Sequence, residues 1–235
     1  MAREAFQRQL RDLQDAVLAM GDMVDKAIDR SVVSLRSRDA DLARQVILDD
    51  QKINQARFEI EDHCLLLIAT QAPMASDLRI LAATLHITTD LERMGDHAAG
   101  TAKITILIGD EPPLKPLIDI PRMAEVAQSM LRASLQAFVD HDVAAAQQIA
   151  MRDDEVDQLY NQVYRELLTF MMADPSTINR ATHLLWVAHN LERIADRVTN
   201  ICERVVFLVT GKMVEMQTGS DRELGRRAPN GRVDA

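Results

Sequence analysis

A hexapeptide occurs twice, one hundred residues apart: Leu91-Glu92-Arg93-Met94-Gly95-Asp96 and Leu191-Glu192-Arg193-Ile194-Ala195-Asp196. A duplication on this scale restricts the chain to folds that can be assembled from two like halves. Upstream residues keep the same register. At an offset of 103, Ser31 pairs with Ser134, Asp39 with Asp142, Ala43 with Ala146, Gln45 with Gln148, Asp50 with Asp153 and Gln55 with Gln158. Beyond Pro73 and Pro175 the offset falls to 100, a difference that one turn absorbs, and Leu85 pairs with Leu185. A period of this length is domain-sized and too long for a solenoid.

Each half reads as helices. Apolar residues make up 47% of the chain but aromatics only 3%, so the core must come from Leu, Ile, Val, Ala and Met. Those residues suit packed helices better than strands. Eight glycines and seven prolines sit in a few places and leave six long segments between them. The first runs from Arg3 to Ser37, with Leu10, Leu13, Val17, Met20, Val24, Ile28 and Leu35 at three- and four-residue spacing. Asp39 is placed to cap a second segment from Ala40 to Thr70. Pro73 stands where a first-turn proline opens a third, which Gly109 ends near Ile108. The second half repeats this plan over Arg122 to Val139, Asp142 to Met172, and Asp174-Pro175 to Gly211.

Short turns between long amphipathic helices imply antiparallel neighbours. The sequence therefore predicts an all-α fold of two tandem three-helix bundles related by a pseudo-two-fold axis. The first spans residues 1–109, a proline-rich linker spans 110–121, the second spans 122–215, and a disordered polar tail spans 216–235.

The charge of −9, with no long basic run, argues against a nucleic-acid footprint and against strong unaided adsorption to an anionic membrane. The first residues lack the apolar run of a secretory signal, and no apolar window is long enough to span a bilayer. A cytoplasmic protein is expected. Cys64 and Cys202 occupy non-equivalent places in the repeat and read as buried small hydrophobes.

The repeated motif carries the chemistry. Glu92 and Asp96, like Glu192 and Asp196, are four residues apart, so each pair projects from one stripe beside the apolar face. Like charges at this spacing repel, and the same unfavourable pair kept twice points to a cation or a basic partner. An antiparallel hairpin turning between Ala173 and Asp174 sets Asp157 level with residues 190–191 and Asp153 level with 194–195. In the first half, Asn54 and Asp50 fall level with residues 90–91 and 94–95. Opposed acidic pairs without counter-charge are costly unless a metal neutralises them. Oxygen ligation favours hard or borderline ions such as Mg²⁺, Mn²⁺ or Fe over thiolate-type zinc. A lone Glu-x-x-x-Asp is more often solvated surface; the duplication and the opposed pairs favour metal here. Arg93 and Arg193 read as orienting the carboxylates, a role favoured over contact with phosphate.

Other chemistries have no motif to carry them. No Glu is followed three residues later by His, so the Glu-x-x-His signature of di-iron bundles is missing. There is no Gly-x-x-x-x-Gly-Lys loop, no Gly-x-Ser-x-Gly elbow and no Cys-x-x-Cys. A carboxylate-ligated metal enzyme or metal-storage bundle, and an adaptor whose acidic stripes meet basic partners, remain as alternatives.

Ala75-Ser76-Asp77-Leu78-Arg79 followed by the first hexapeptide, the second hexapeptide, and Met171-Met172-Ala173-Asp174 together resemble the PhoU family over residues 4–214. The resemblance implies a cytoplasmic negative regulator of the phosphate regulon, not an enzyme. Its implied partners are the ATPase of the phosphate ABC transporter (PstB-like) and a sensor histidine kinase (PhoR-like), with a homodimer expected and the membrane reached only through partners. It also implies metal (Fe, Mn, Mg or Zn, in one or several nuclei) at Glu92, Asp96, Glu192 and Asp196, faced by Asp50, Asp153 and Asp157. Asn54 in place of an acid, and Asn190 where the first half has Asp90, depart from the full pattern. The first site is therefore expected to be the weaker.

Overall fold

A computed structural model describes residues 2–216; apart from Met216, the tail expected from the sequence lies outside the described residues. The order is α1 (Ala2–Ser37), α2 (Ala40–Gln71), α3 (Ala75–Ile108), α4 (Asp119–Asp140), α5 (Val143–Ala150), α6 (Asp153–Ala173), a 3₁₀ turn (Pro175–Thr177) and α7 (Ile178–Thr210). No strand occurs among the described residues, and none of their helices is long and apolar enough to cross a membrane.

Matching turns bear out the duplication atom by atom. Arg38 and His141 hold left-handed φ values of 57° and 56°. After them, Asp39 N donates to Ser34 O (2.9 Å) and Asp142 N to Ala137 O (3.0 Å), the same bond in the same register. The Asp39 and Asp142 side chains then cap the next helix, accepting from Leu42 N and Ala145 N at 2.9 Å. Buried Ser31 and Ser134 return their hydroxyls to Ile28 O and Leu131 O at 2.8 and 2.9 Å.

Three boundaries differ from the sequence expectation. Pro73 does not lie in the first turn of α3: Ala72 is left-handed and Met74 extended, so the helix begins at Ala75. The fourth helix begins earlier, at Asp119, with Pro121 tolerated as its third residue. The stretch from Asp142 to Met172 is two helices, whereas its counterpart α2 is unbroken. At the break, Arg152 N donates to Ile149 O and Glu155 N to Arg152 O, both at 3.0 Å. These i→i−3 bonds tighten the chain, and a new helix start places Asp153, Asp154 and Glu155 at the favourable end of a helix dipole.

The two bundles share one contiguous core, with α3 and α7 at its centre. Leu91, Met94, Leu191 and Ile194 of the repeated motifs are wholly buried on those helices, each contributing about 1.5–3 kcal/mol by leaving water. α3 and α7 run antiparallel about the pseudo-two-fold axis. On one side of the axis Asp90 accepts from Arg197 Nη1 (3.4 Å) and Asn200 Nδ2 (3.2 Å). On the other, the equivalent Asn190 meets His97 Nδ1 (3.3 Å) and Thr101 Oγ1 (3.4 Å), seated over the bare backbone of Gly100. Nearer the axis, Gln128 of α4 donates to the backbone oxygen of its own counterpart, Asp25 (3.0 Å).

Asn at position 90 can still accept from Arg197 and Asn200 but gives up the charge facing Arg197, so Asp90→Asn should cost less than Asp90→Ala, which leaves both donors without an acceptor and should cost about 1–3 kcal/mol. Chemical denaturation of both variants checks this.

Candidate functional site

In the second repeat, Asp153 opens α6 and Asp157 follows one turn later; Glu192 and Asp196 lie on the facing stripe of α7. All four line one polar cleft of about 410 Å³, with Arg193, Arg197, Thr199, Asn200, Glu203, Glu215 and Met216. Asp153 is only 3% exposed. Burial, and then the charges of Asp196, Asp157 and Glu192, push its carboxyl up to about 8. Glu192 is pushed up to about 7, by burial first and then by Asp196, against the pull of Arg193. Burial also raises Asp196, although Arg193 Nη1 donates to its Oδ2 at 2.6 Å. Glu192 Oε2 is buried without a hydrogen-bond donor. His189 Nδ1 lies 3.3 Å from it but outside bonding geometry.

The first repeat has the same frame with different charges. Asp50, on α2, has a buried Oδ1 without a partner, while its Oδ2 accepts from Asn54 (3.3 Å). Gly95 lets α2 approach closely here: a Cβ on it would lie 3.1 Å from Asp50 Oδ1 and 3.0 Å from Ile53. Ala195 occupies the equivalent place, fully buried. Burial, followed by Asp96, raises Asp50, and Lys103 opposes the shift. Glu92 is held by Arg57 Nη1 (3.2 Å), whose Nε also meets Glu61 (2.8 Å). Asp96 is exposed.

Repeat register identifies the cause of the difference. Asn54, Arg57 and Lys103 of the first repeat are Asp157, Tyr160 and Glu203 in the second. Each change makes the second site more negative: in the first, Arg57 pairs with Glu92 and Lys103 draws on Asp50, and the second has neither of those cations. As a test of metal fit, the second site supplies an all-oxygen donor set, a buried oxygen without a donor and carboxyls that resist ionisation unless a cation joins them. The first fits poorly, because Arg57 already serves Glu92. Among the described residues no three His, Cys, Asp or Glu side chains stand close enough together to hold an ion as they are. An ion in the cleft would gather its ligands by side-chain rotation.

Cys64 and Cys202 are buried and far from thiolate chemistry, each thiol pushed up to about 12 by burial. Sequence reasoning overlooked Glu203, Thr199 and Arg197. Glu203 was detectable, since it stands seven residues beyond Asp196 on the same helical stripe and reverses the sign of Lys103.

The PhoU domain model matches this chain twice, over residues 17–105 and 120–205. The chain belongs to the PhoU family. It is 39% identical to a phosphate-specific transport system accessory protein PhoU homolog of Clostridium acetobutylicum, over 92% of this chain and 99% of that protein. A homolog of the same description from Aquifex aeolicus is also 39% identical, over 89% and 95% of the two chains. The crystal structure of the phosphate transport system regulatory protein PhoU from Streptococcus pneumoniae superposes with a TM-score of 0.84 at 35% identity, covering 89% of this chain and 99% of that one. PhoU from Pseudomonas aeruginosa gives the same score and identity, over 88% and 100%. These relatives are described as accessory and regulatory proteins, not as enzymes.

The carboxyls of the second PhoU repeat give a pH dependence of definite sign. Asp153 and Glu192 keep protons in the folded chain that the unfolded chain releases near pH 4, so their contribution to stability is present below that value and is lost as pH rises toward 8. Without divalent ions, melting temperature should fall from pH 5 to pH 8. Asp153→Asn should flatten that slope and exceed the wild type at pH 8 by the order of a few kcal/mol. Calorimetry of the two proteins at both pH values checks this.

Proposed function

We propose that this protein regulates phosphate uptake, holding the phosphate-starvation response repressed when phosphate is plentiful. In this reading it is cytoplasmic, works as a homodimer, and acts by contact with the ATPase of a phosphate ABC transporter and with a sensor histidine kinase. The observation that carries the reading is near full-length similarity, in sequence and in both halves of the fold, to proteins described as phosphate transport accessory and regulatory proteins. Exposed apolar side chains at the two hairpin tips, Leu65 and Leu66 on α2 and Leu168 and Met172 on α6, supply surface for such contacts. Deleting the gene should derepress phosphate scavenging, read as secreted phosphatase activity, in phosphate-rich medium. Unchanged phosphatase would overturn the proposal.

The second-repeat cleft, in this reading, holds a hard divalent or ferrous ion through Asp153, Asp157, Glu192 and Asp196. Bound there, the ion neutralises carboxylates that otherwise repel one another across α6 and α7, and so stiffens the hairpin. The first-repeat residues Asp50, Glu92 and Asp96 form at most a weaker site. Ion binding to the folded state alone raises stability in proportion to the logarithm of free ion over its dissociation constant. Mn²⁺ should therefore raise the melting temperature of the wild type but not of the Glu192→Ala, Asp196→Ala double variant. Equal shifts in both would assign the stripes to partner contact instead.

A further inference from the structure

After α7, the chain does not leave the molecule but turns back along it. Gly211 takes a left-handed φ of 73°, the conformation that reverses a chain at a helix end. Residues 212–216 then lie beside α7. Met216 N donates to Glu203 Oε1 at 2.8 Å, and Arg204, beside Glu203, reaches the Met213 sulfur at 3.2 Å. Val214 and Met216 line a groove of about 460 Å³ with Ala150, Met151 and Val206. That groove lies at the corner made by the α5–α6 break, which the first repeat lacks.

This return path carries Glu215 to the wall of the acidic cleft, where Glu203 also stands. Six carboxylates then line the cleft, against Arg193 and Arg197, with Arg204 Nη2 also 3.4 Å from Glu203 Oε2. A further feature points to a ligand: Thr199, 7% exposed, lines the same cleft with a buried hydroxyl that has no partner. An acid brought by a separate segment to a cleft already crowded with acids is unfavourable unless something positive joins it.

We propose that residues 212–216 are a strap whose Glu215, together with Glu203, completes the oxygen shell of a divalent cation in the second-repeat cleft, so that cation uptake fixes the strap against α7. The inference rests on reading that cleft as a cation site. Neither glutamate belongs to a repeated hexapeptide, and Glu203 already joins the two parts, being both cleft wall and strap anchor. Cation occupancy is thereby transmitted to the surface of the groove at Met151 and Val206.

The test uses the full chain and Mn²⁺ alone, with binding measured by calorimetry and the strap followed by amide hydrogen exchange. In the wild type, Mn²⁺ should slow exchange across residues 212–216. Glu215→Gln, an exposed and structurally mild change, should weaken Mn²⁺ binding by about tenfold and abolish the added protection. Unaltered affinity in Glu215→Gln, or strap exchange indifferent to Mn²⁺, overturns the strap while leaving the cation site standing. If the wild type binds Mn²⁺ no better than the Glu192→Ala, Asp196→Ala variant, the cation site falls and the strap proposal with it.

Discussion

The long antiparallel contact between α3 and α7 is the constraint on which the rest of this structure depends. Each helix is the innermost member of its own bundle and also the surface on which the other bundle rests. The repeated motif serves both duties at once. Leu91 and Met94, like Leu191 and Ile194, are buried in the shared core, and that fixes the rotation of each helix. Once the rotation is fixed, Glu92 and Asp96, like Glu192 and Asp196, fall on the stripe beside α2 and α6, with Asp96 at its exposed edge. The acidic stripes thus lie beside the neighbouring helices because apolar packing sets the rotation.

Duplication provided two equivalent frames, and substitution then separated their electrostatics. A few side-chain differences, at the positions of Arg57 and Tyr160, Asn54 and Asp157, and Lys103 and Glu203, leave the second frame with less positive charge and more acid than the first. The backbone followed: Asp153 begins a helix where Asp50 lies within one. A helix start adds partial positive charge from unsatisfied amides, which offsets some of the repulsion that the additional acids introduce.

Much of this was legible in the sequence, for physical reasons. Apolar spacing and the register of Asp39 with Asp142 defined the helices and turns, since both signals are local. The hairpin argument set Asp153 and Asp157 level with Glu192 and Asp196 because helical rise is uniform. What stayed hidden was non-local or balanced. The α5–α6 break has no Gly or Pro to announce it, and depends on a run of acids that equally suits the outside of a continuous helix. That Arg57 would reach Glu92 required the distance between α2 and α3. The return of residues 212–216 was hidden for a different reason: Met213, Val214 and Met216 are their only large apolar residues and the first two stay exposed, so nothing in their pattern distinguishes a strap from a continuing polar tail.

The hydrogen bond from Gln128 to the backbone of Asp25, its own counterpart across the axis, bears on the origin of the molecule. A residue that touches its own image is what a symmetric dimer of identical chains produces at its axis. So is the reciprocal placing of Asp90 against Arg197 and Asn190 against His97. An ancestral chain of half this length would have met a second copy of itself through the α3 face, and the residues over 109–118 would be the tether that later joined the copies. Joining them made the partner permanently available at high effective concentration. It also freed the two halves to differ, since a change in one no longer appeared in the other, and a single charged cleft could arise in a molecule that still keeps the outline of a pair.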